Sequence, residues 1–300
     1  MKKVLVLMST YNGTTYLAEQ VDSILQQTDV QVELLVRDDG STDGTQDFLQ
    51  QQQECGRLNW YQGENVGPAQ SFLSLLRDAP QADYYALADQ DDVWLPQKLS
   101  TAIQHLANAP QATPALYFGQ TLPVDSHLQP LPYVPLTPCR TLGEALIHYF
   151  VGGNTMVLNH DLRQWVNRHT PQHIEIHDVY LYALALALGS QVVFDPTPHI
   201  LYRQHSGNVV GSPKSQFWGD WKKRLHRILH QQELRSHMAI EIWKGYAPHL
   251  KDETRNLLHD FVEAKRSFKA RLALLSDSRL RCSHPATQRM FRIALLLNTY

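Results

Sequence analysis

Residues 3–25, KVLVLMSTYNGTTYLAEQVDSIL, change their period partway along. Lys3 to Met8 is a short apolar run with β-branched content, which reads as a buried strand. Leu17, Val21, Ile24 and Leu25 then fall at the spacings of one helix face, with Thr14 and Thr15 ahead of them as cap candidates. The polar stretch STYNG (9–13) separates the two. The alternation repeats. Val32 to Val36 reads as strand, Thr45 to Gln53 as helix, Leu58 to Tyr61 as strand, Pro68 to Arg77 as helix with Pro68 suited to its first turn, and Tyr84 to Ala88 as strand. Strands alternating with helices of this length require right-handed crossovers and a parallel, doubly wound sheet. Such a sheet binds ligands at the carboxyl ends of its strands, so the chemistry is expected just after them.

Further along, seven prolines between Pro110 and Pro138 exclude long helices and predict loops or edge strands. Residues 175–189 read as a helix carrying Val179, Leu181, Leu184, Ala185 and Leu188 and ending at Gly189, followed by the strand-like Gln191 to Phe194. Everything after Lys214 is helical in pattern and short of glycine. The boundary is placed near Gly211 to Pro213, which gives an α/β catalytic body over 1–213 and a helical extension over 214–300.

The 300 residues are 43% hydrophobic and 19% charged, the composition of a folded, water-soluble chain, which excludes disorder and fibrous repeats. Cys55, Cys139 and Cys282 are far apart in sequence and odd in number, so neither a zinc site nor a disulfide framework is expected. A reducing cytoplasm fits that usage. The apolar run at the N-terminus stops at Ser9, short of the ~7 to 15 residues of a signal segment, and no later stretch approaches the ~18 of a membrane span. The net charge of -2 conceals an asymmetry. Residues 1–213 hold 10 Lys and Arg against 21 Asp and Glu, whereas residues 214–300 hold 17 against 8. An acidic body suits a protein that holds a divalent cation, and a basic tail suits an anionic surface. Within that tail, Phe217, Trp218, Trp221, Leu225, Ile228 and Leu229 interleave with Lys222, Lys223, Arg224 and Arg227. Residues 214–229 therefore read either as an interfacial helix on an anionic membrane, which would place the protein on the cytoplasmic face, or as a helix packed on the catalytic body. No nucleic-acid motif accompanies the charge, and nucleic acid is not expected as a partner.

Four polar clusters follow strand-like segments: STYNG (9–13), RDDGSTDGT (37–45), ADQDD (88–92) and the later HD (177–178). Any one could be a turn former. Four in register with the ligand-binding edge of a parallel sheet point to a site. In ADQDD the like charges of Asp89, Asp91 and Asp92 repel unless a cation is shared. A hard dication, Mg2+ or Mn2+, held by one or two carboxylates and the phosphate oxygens of a substrate, resolves that repulsion. Asp92 alone reads as the cap of a helix beginning near Pro96.

STYNG, RDDGSTDGT, ENVGPAQSF (64–72) and ALADQDDVWLPQKL (86–99), in this order and spacing, resemble the family 2 inverting glycosyltransferases with a GT-A fold. The resemblance covers roughly residues 1–213. HDVYLYALALALG and LYRQHSGNVVG look like the branch described as rhamnosyltransferases of bacterial surface polysaccharides. The resemblance implies that Ser9, Tyr11 and Asp39 hold the donor nucleotide, with Tyr11 against a pyrimidine ring and Asp39 accepting from its N3–H. Uracil and thymine qualify under that reading and cytosine does not. Asp38 faces its own turn, with Gly40 and Ser41 shaping the loop. Asn65 and Gly67 match the segment under the ribose and diphosphate, where a glycine permits close approach. The DXD motif of the family is matched by Asp89-Gln90-Asp91, so Asp89 is implied to reach the ribose or donor sugar and Asp91 the metal.

An inverting transfer is a single displacement in which the acceptor hydroxyl loses its proton as the nucleoside diphosphate leaves, so it needs a base. The family places that base near a helix start, where Asp178 stands; His177 occupies the position before it, where family members often have Glu. Asp178 otherwise reads as a helix cap. His205 stands where related enzymes supply a further metal or diphosphate contact, and Arg203 is placed to meet the diphosphate; His205 otherwise reads as a surface residue. The function expected is metal-dependent inverting transfer of a sugar, L-rhamnose foremost, from a dTDP- or UDP-linked donor to a growing polysaccharide or lipid-linked oligosaccharide. The rival is a catalytically silent nucleotide-sugar-binding scaffold of a membrane-associated assembly. No G-x-x-x-x-G-K-[ST] sequence is present, which excludes a P-loop hydrolase.

Overall fold

The computed structural model describes residues 1–110, 112–148, 151–205 and 234–300. Its first half alternates as the sequence requires: β1 (Lys3–Thr10), α1 (Leu17–Leu25), β2 (Gln31–Asp38), α2 (Thr45–Glu54), β3 (Asn59–Gln62), α3 (Gly67–Asp78) and β4 (Tyr84–Ala88). There follow β5 (Val93–Trp94), α4 (Lys98–Leu106), β6 (Ala115–Gly119), β7 (Leu122–Val124), α5 (Leu142–Ala145), a 3-10 turn (Gly153–Thr155), β8 (Val157–Asn159), α6 (His160–Val166), α7 (His177–Ala187), β9 (Gln191–Asp195) and β10 (Ile200–Arg203). The C-terminal region is helical: α8 (Leu234–Tyr246), α9 (Asp252–Glu263), α10 (Phe268–Leu275) and α11 (Pro285–Leu297). Among the described residues no helix is long and apolar enough to cross a membrane.

Seven strands form the main sheet in the order β3-β2-β1-β4-β8-β6-β9. All neighbours run parallel except β8, which is antiparallel to both β4 and β6. The period of two along β1 sorts its side chains between two layers. Val4, Val6 and Met8 pack with α1, α2 and α4 on one face. Leu5 and Leu7 pack on the other with α3, α6, α7 and the C-terminal helices. The C-terminal helices thus share one continuous apolar cluster with the sheet; Phe261 of α9 and Phe291 of α11 lie in it, and Tyr300 stands edge-on to both rings.

Three expectations need correction. The proline-rich stretch holds an inner strand, since β6 is buried throughout and lies between β8 and β9. Its prolines fall outside the strand, Pro114 immediately before it, so no ladder donor is lost. Tyr16, not Thr14 or Thr15, occupies the cap position of α1, and it makes no side-chain cap bond. Thr14 Oγ1 donates instead to Asp43 Oδ2 at 2.5 Å, a charged acceptor. Asp92 caps nothing, because Val93–Trp94 extend as β5 before α4 begins at Lys98 with Gln97 as its cap. The expected boundary at Gly211 to Pro213 and the basic stretch 214–229 lie outside the described residues.

A second sheet, β5-β10-β7, positions the site. β10 runs antiparallel to β5, with Leu201 opposite Val93. It runs parallel to β7, with Arg203 opposite Val124. That pairing carries residues 203–205 back to the end of β4.

Candidate active site

The carboxyl ends of β1, β2 and β4 lie side by side: Thr10 pairs with Asp38 and Met8 with Ala88. Each strand runs out into one of the polar clusters. The loop after β2 is held from within. Asp38, fully buried, accepts from Gly40 N at 3.2 Å, Ser41 N at 2.9 Å, Gln46 Nε2 at 2.7 Å and the Ser41 hydroxyl. It faces its own turn, as the sequence suggested. Asn12 and the loop clasp each other, Asn12 N donating to Ser41 Oγ and Thr42 N to Asn12 Oδ1, both at 2.8 Å.

Asp39 is also buried and ion-paired with Arg37. Its two carboxylate oxygens accept from Val66 N at 3.1 Å and Gly67 N at 2.9 Å. A carboxylate offers about four acceptor positions, so one on Oδ2 is left for a further donor. Gly67 has φ +77°, and a Cβ there would meet no heavy atom within 4 Å. The glycine is needed for a left-handed backbone that turns its N–H onto Asp39, and the space beside it is open. Beside this loop opens a cleft of about 540 Å³ lined by Gly40, Gln62, Gly63, Glu64 and Asn65. Tyr11 stands 48% exposed, and Ser9 Oγ is paired with Ser71 Oγ at 2.6 Å.

The loop after β4 has the opposite character. Asp89 is pushed well above the usual carboxylate range, first by burial and then by the charges of Asp92, Asp91 and Asp178. Asp92 is raised to about 7 by burial and by Asp91, although Asn154 Nδ2 at 2.5 Å and Arg203 N at 3.2 Å both donate to it. Asp178 lies in the first turn of α7, whose cap is Ile176. Burial pushes it up to about 6 despite bonds from Gly153 N at 3.0 Å and Val179 N at 2.7 Å. Asp91 Oδ2 and His205 Nε2 stand 2.8 Å apart, although 114 positions separate them in the chain.

The structure therefore gathers Asp89, Asp91, Asp178 and His205 at one place, with Tyr11, Asp39 and Asn65 on the neighbouring loops, Ser9 near the end of β1 and Gly67 at the start of α3. Arg203 is placed differently from expectation. Its buried guanidinium is ion-paired with Glu19 and donates to Asp91 O at 3.0 Å and Ser126 O at 2.8 Å. It also lies 4.4 Å from the Tyr16 ring centroid. A buried guanidinium must be surrounded by acceptors, and here the protein supplies them, so Arg203 carries the Asp91 loop.

Sequence reading passed over several residues. Gln90, the middle residue of Asp89-Gln90-Asp91, accepts through Oε1 from Thr10 Oγ1 and from Tyr11 N, and donates to Tyr11 O, which ties the first loop to the third. Its place inside the motif was the available signal. Asn154 and Glu19 carry no local pattern. His177 is buried, stacked on Phe72 at 4.1 Å, and pushed down to about 3 by burial, so it is a neutral packing residue at the start of α7. A Cβ on Gly153 would stand 2.6 Å from His177 Nε2, so this glycine allows the turn that presents Gly153 N to Asp178. Lys98 is buried with Nζ 3.4 Å from the Trp94 ring centroid, and burial holds its ammonium well below the usual lysine range.

Among the described residues no three His, Cys, Asp or Glu side chains form a ready-made metal cage. The donor set nevertheless fits a hard dication. Asp91 and His205 already converge, and Asp89 is made a weaker acid first by burial and then by the negative charges of Asp92, Asp91 and Asp178 around it. Mg2+ and Mn2+ commonly take only one or two protein ligands and complete their shell from substrate phosphate and water.

The profile described as Glycosyl transferase family 2 matches residues 5–205. Over 219 residues the chain is 29% identical to the dTDP-rhamnosyl transferase RfbG of Shigella flexneri, an alignment covering 68% of this chain and 74% of that protein. The fold is similar to that of S. aureus TarS 1-349 in complex with UDP-GlcNAc, with a TM-score of 0.58 at 17% identity over 99% of this chain and 89% of that one. It is similar also to the mannosyltransferase PcManGT from Pyrobaculum calidifontis in complex with GDP-Man and Mn2+, with a TM-score of 0.54 at 19% identity over 99% of this chain and 85% of that one. At these identities the structural likeness concerns the fold alone.

Proposed function

The chain belongs to glycosyl transferase family 2, and from that membership we propose that it is a metal-dependent, inverting enzyme that moves L-rhamnose from a dTDP- or UDP-linked donor to a growing polysaccharide or lipid-linked oligosaccharide. The observation that carries this reading is the convergence of Asp91 and His205 at 2.8 Å beside the mutually repelling Asp89 and Asp178. The similarity to a dTDP-rhamnosyl transferase supports the donor, and the Mn2+ complex of PcManGT supports the metal.

Residues 1–213 act as the catalytic unit and 214–300 as its basic extension, with residues 214–229 as a candidate membrane contact. Tyr11 offers its exposed ring to the pyrimidine, and the remaining acceptor position of Asp39 receives the base N3–H. Ser9, Asn65 and Gly67 line the path of ribose and diphosphate, and Asp89 reaches the ribose or donor sugar. Asp91 and His205 would hold a Mg2+ or Mn2+ ion, which neutralises the charge of the departing diphosphate. Asp178 takes the proton of the acceptor hydroxyl as its oxygen attacks the anomeric carbon and the bond to the nucleoside diphosphate breaks. Arg203 holds the Asp91 loop through Asp91 O.

The test is consumption of UDP- and dTDP-sugars with and without manganese, beside calorimetry of donor binding. A dTDP- or UDP-sugar is expected to be consumed only with metal, and Asp91→Ala to lose metal-assisted donor affinity while remaining folded. Equal turnover in the presence of chelator, or unchanged metal-assisted affinity in Asp91→Ala, would overturn the assignment.

A further inference from the structure

Eleven large hydrophobic residues stand exposed among the described residues, and six of them, Phe268, Leu272, Met290, Ile293, Leu296 and Leu297, lie in α10 and α11. This stretch is about a tenth of the chain. The buried side of α11 is accounted for by Phe291, Ala294 and Leu295, which face the core. At 100° per residue, Met290, Ile293, Leu296 and Leu297 fall on a separate arc of the same helix, with Arg289 inside the arc near one edge and Arg292 just beyond that edge. A cleft of about 460 Å³ runs between the end of α10 and α11, lined by Leu275, Ser276, Asp277, Arg281, Arg292 and Leu296. Isolated exposed apolar residues are ordinary, whereas a contiguous apolar face rimmed with charge marks a contact surface.

The charge of this region selects the occupant. Residues 264–300 contain eight Lys or Arg and one Asp. A second copy would bring like charges together at the rim, because Asp277, the one acid of this stretch, is ion-paired with Arg279. An anionic bilayer matches both parts at once: aliphatic side chains enter the headgroup boundary while arginines and lysines meet lipid phosphate. We propose that the exposed face of α10 and α11 docks on an anionic phospholipid surface. This surface is separate from residues 214–229. Its use rests on the reading that the acceptor is lipid-linked, because docking then brings the active site to a substrate confined to the bilayer.

The test is sedimentation of the whole chain with vesicles of phosphatidylglycerol and phosphatidylcholine, against phosphatidylcholine alone, across a salt series and without donor or acceptor. The chain should bind the anionic vesicles and release as salt shortens screening below ~8 Å. Arg289→Gln with Arg292→Gln should weaken partitioning roughly thirtyfold, from about one basic contact's worth each. Ile293→Ser with Leu297→Ser keeps every charge and should weaken it at least tenfold, with melting temperature and donor hydrolysis unchanged. Equal binding to neutral vesicles, absence of binding, or unchanged binding by the Ile293/Leu297 variant would overturn the proposal, the last by assigning adhesion to charge alone or to another segment. A dimer by light scattering that this variant dissociates would overturn it in favour of a contact between copies. Vesicle binding is read without turnover, so failure of the glycosyltransfer assignment would show in donor consumption and failure of docking in sedimentation.

Discussion

Two loops rich in aspartate leave the same sheet at neighbouring strand ends, and they are built on opposite terms. In 37–45, after β2, each carboxylate is met by donors: Asp38 by its own turn and Gln46, Asp39 by Arg37 and two backbone N–H groups, Asp43 by Thr14 and Thr45. In 88–92, after β4, Asp92 is met by Asn154 and Arg203 N and Asp91 by His205, yet the buried carboxylates still crowd one another around Asp89, and Asp178 joins them from α7. The difference teaches that a cluster's composition does not give its role. The first loop is a scaffold whose charges are satisfied before any ligand arrives, with one acceptor position left on Asp39. The second holds charge that only a cation or a proton can relieve. Substitutions in the crowded group should therefore act on turnover, and those in the satisfied loop on stability.

The largest effect is expected at Asp178. Asp178→Asn keeps the shape and removes the basicity, so transfer should fall by ~10² to 10⁴ with donor binding intact. The acid limb of kcat/KM in the unaltered protein should lie near the value of about 6 to which burial pushes this carboxyl, activity rising with pH through it. The stability sign runs the other way. A folded value raised above the unfolded one favours the protonated form, so this group's contribution is present at low pH and lost as pH rises through about 6. At neutral pH the Asn variant should accordingly melt no lower than the original. Near-normal turnover, or a large loss of stability, would show that Asp178 is a structural residue and break the contrast.

Asp38 should behave in the reverse way. It is fully buried and accepts from several donors, so Asp38→Ala leaves them without partners and should cost roughly 2–4 kcal/mol of stability. The folded fraction should lose far less turnover than Asp178→Asn does. Thermal melting beside single-turnover kinetics separates the two outcomes, and an unshifted melt with turnover abolished would place Asp38 in the chemistry.

What the sequence disclosed about these loops follows from how local each feature is. Strands β1, β2 and β4 and the helices between them are fixed by short-range period and turn chemistry, and the inward turn of Asp38 needs only residues up to Gln46. The pairing of Asp91 with His205 depends on β5, two residues long, finding β10 across more than a hundred positions, and no periodicity marks a two-residue strand. Only the motif resemblance pointed to His205. Arg203 was misplaced for a related reason: an arginine near a diphosphate site reads the same in sequence whether it faces the ligand or, as here, Glu19 and two carbonyls. The inner strand β6 was obscured by prolines that flank it without entering it. Gln90 was hidden as the variable residue of its motif, although its bonds to Thr10 and Tyr11 join the loop after β4 to the end of β1 and the loop that follows it.

The smallest effect sharpens the comparison most, because it asks whether satisfied carboxylates differ among themselves. Asp43 belongs to the satisfied loop but stands exposed. The slight burial of its carboxyl raises its pKa, and bonds from the Thr14 and Thr45 side chains and backbone outweigh that and hold the pKa down at about 2. A lowered folded value means that the stabilisation is complete above the unfolded value of 3.8 and is lost as pH falls through about 2. Solvent screens an exposed carboxylate, so the worth of these bonds is a few tenths of a kcal/mol, well below the nominal shift. Asp43→Asn should therefore lower stability at pH 7 by less than ~0.5 kcal/mol, and the gap between variant and original should close as pH approaches 2. Urea unfolding at pH 7 and at pH 3 measures both. A loss at pH 7 as large as that of Asp38→Ala would mean that the Thr14–Asp43 contact holds the first two loops together, and the division into a buried scaffold and an exposed rim would have to be redrawn.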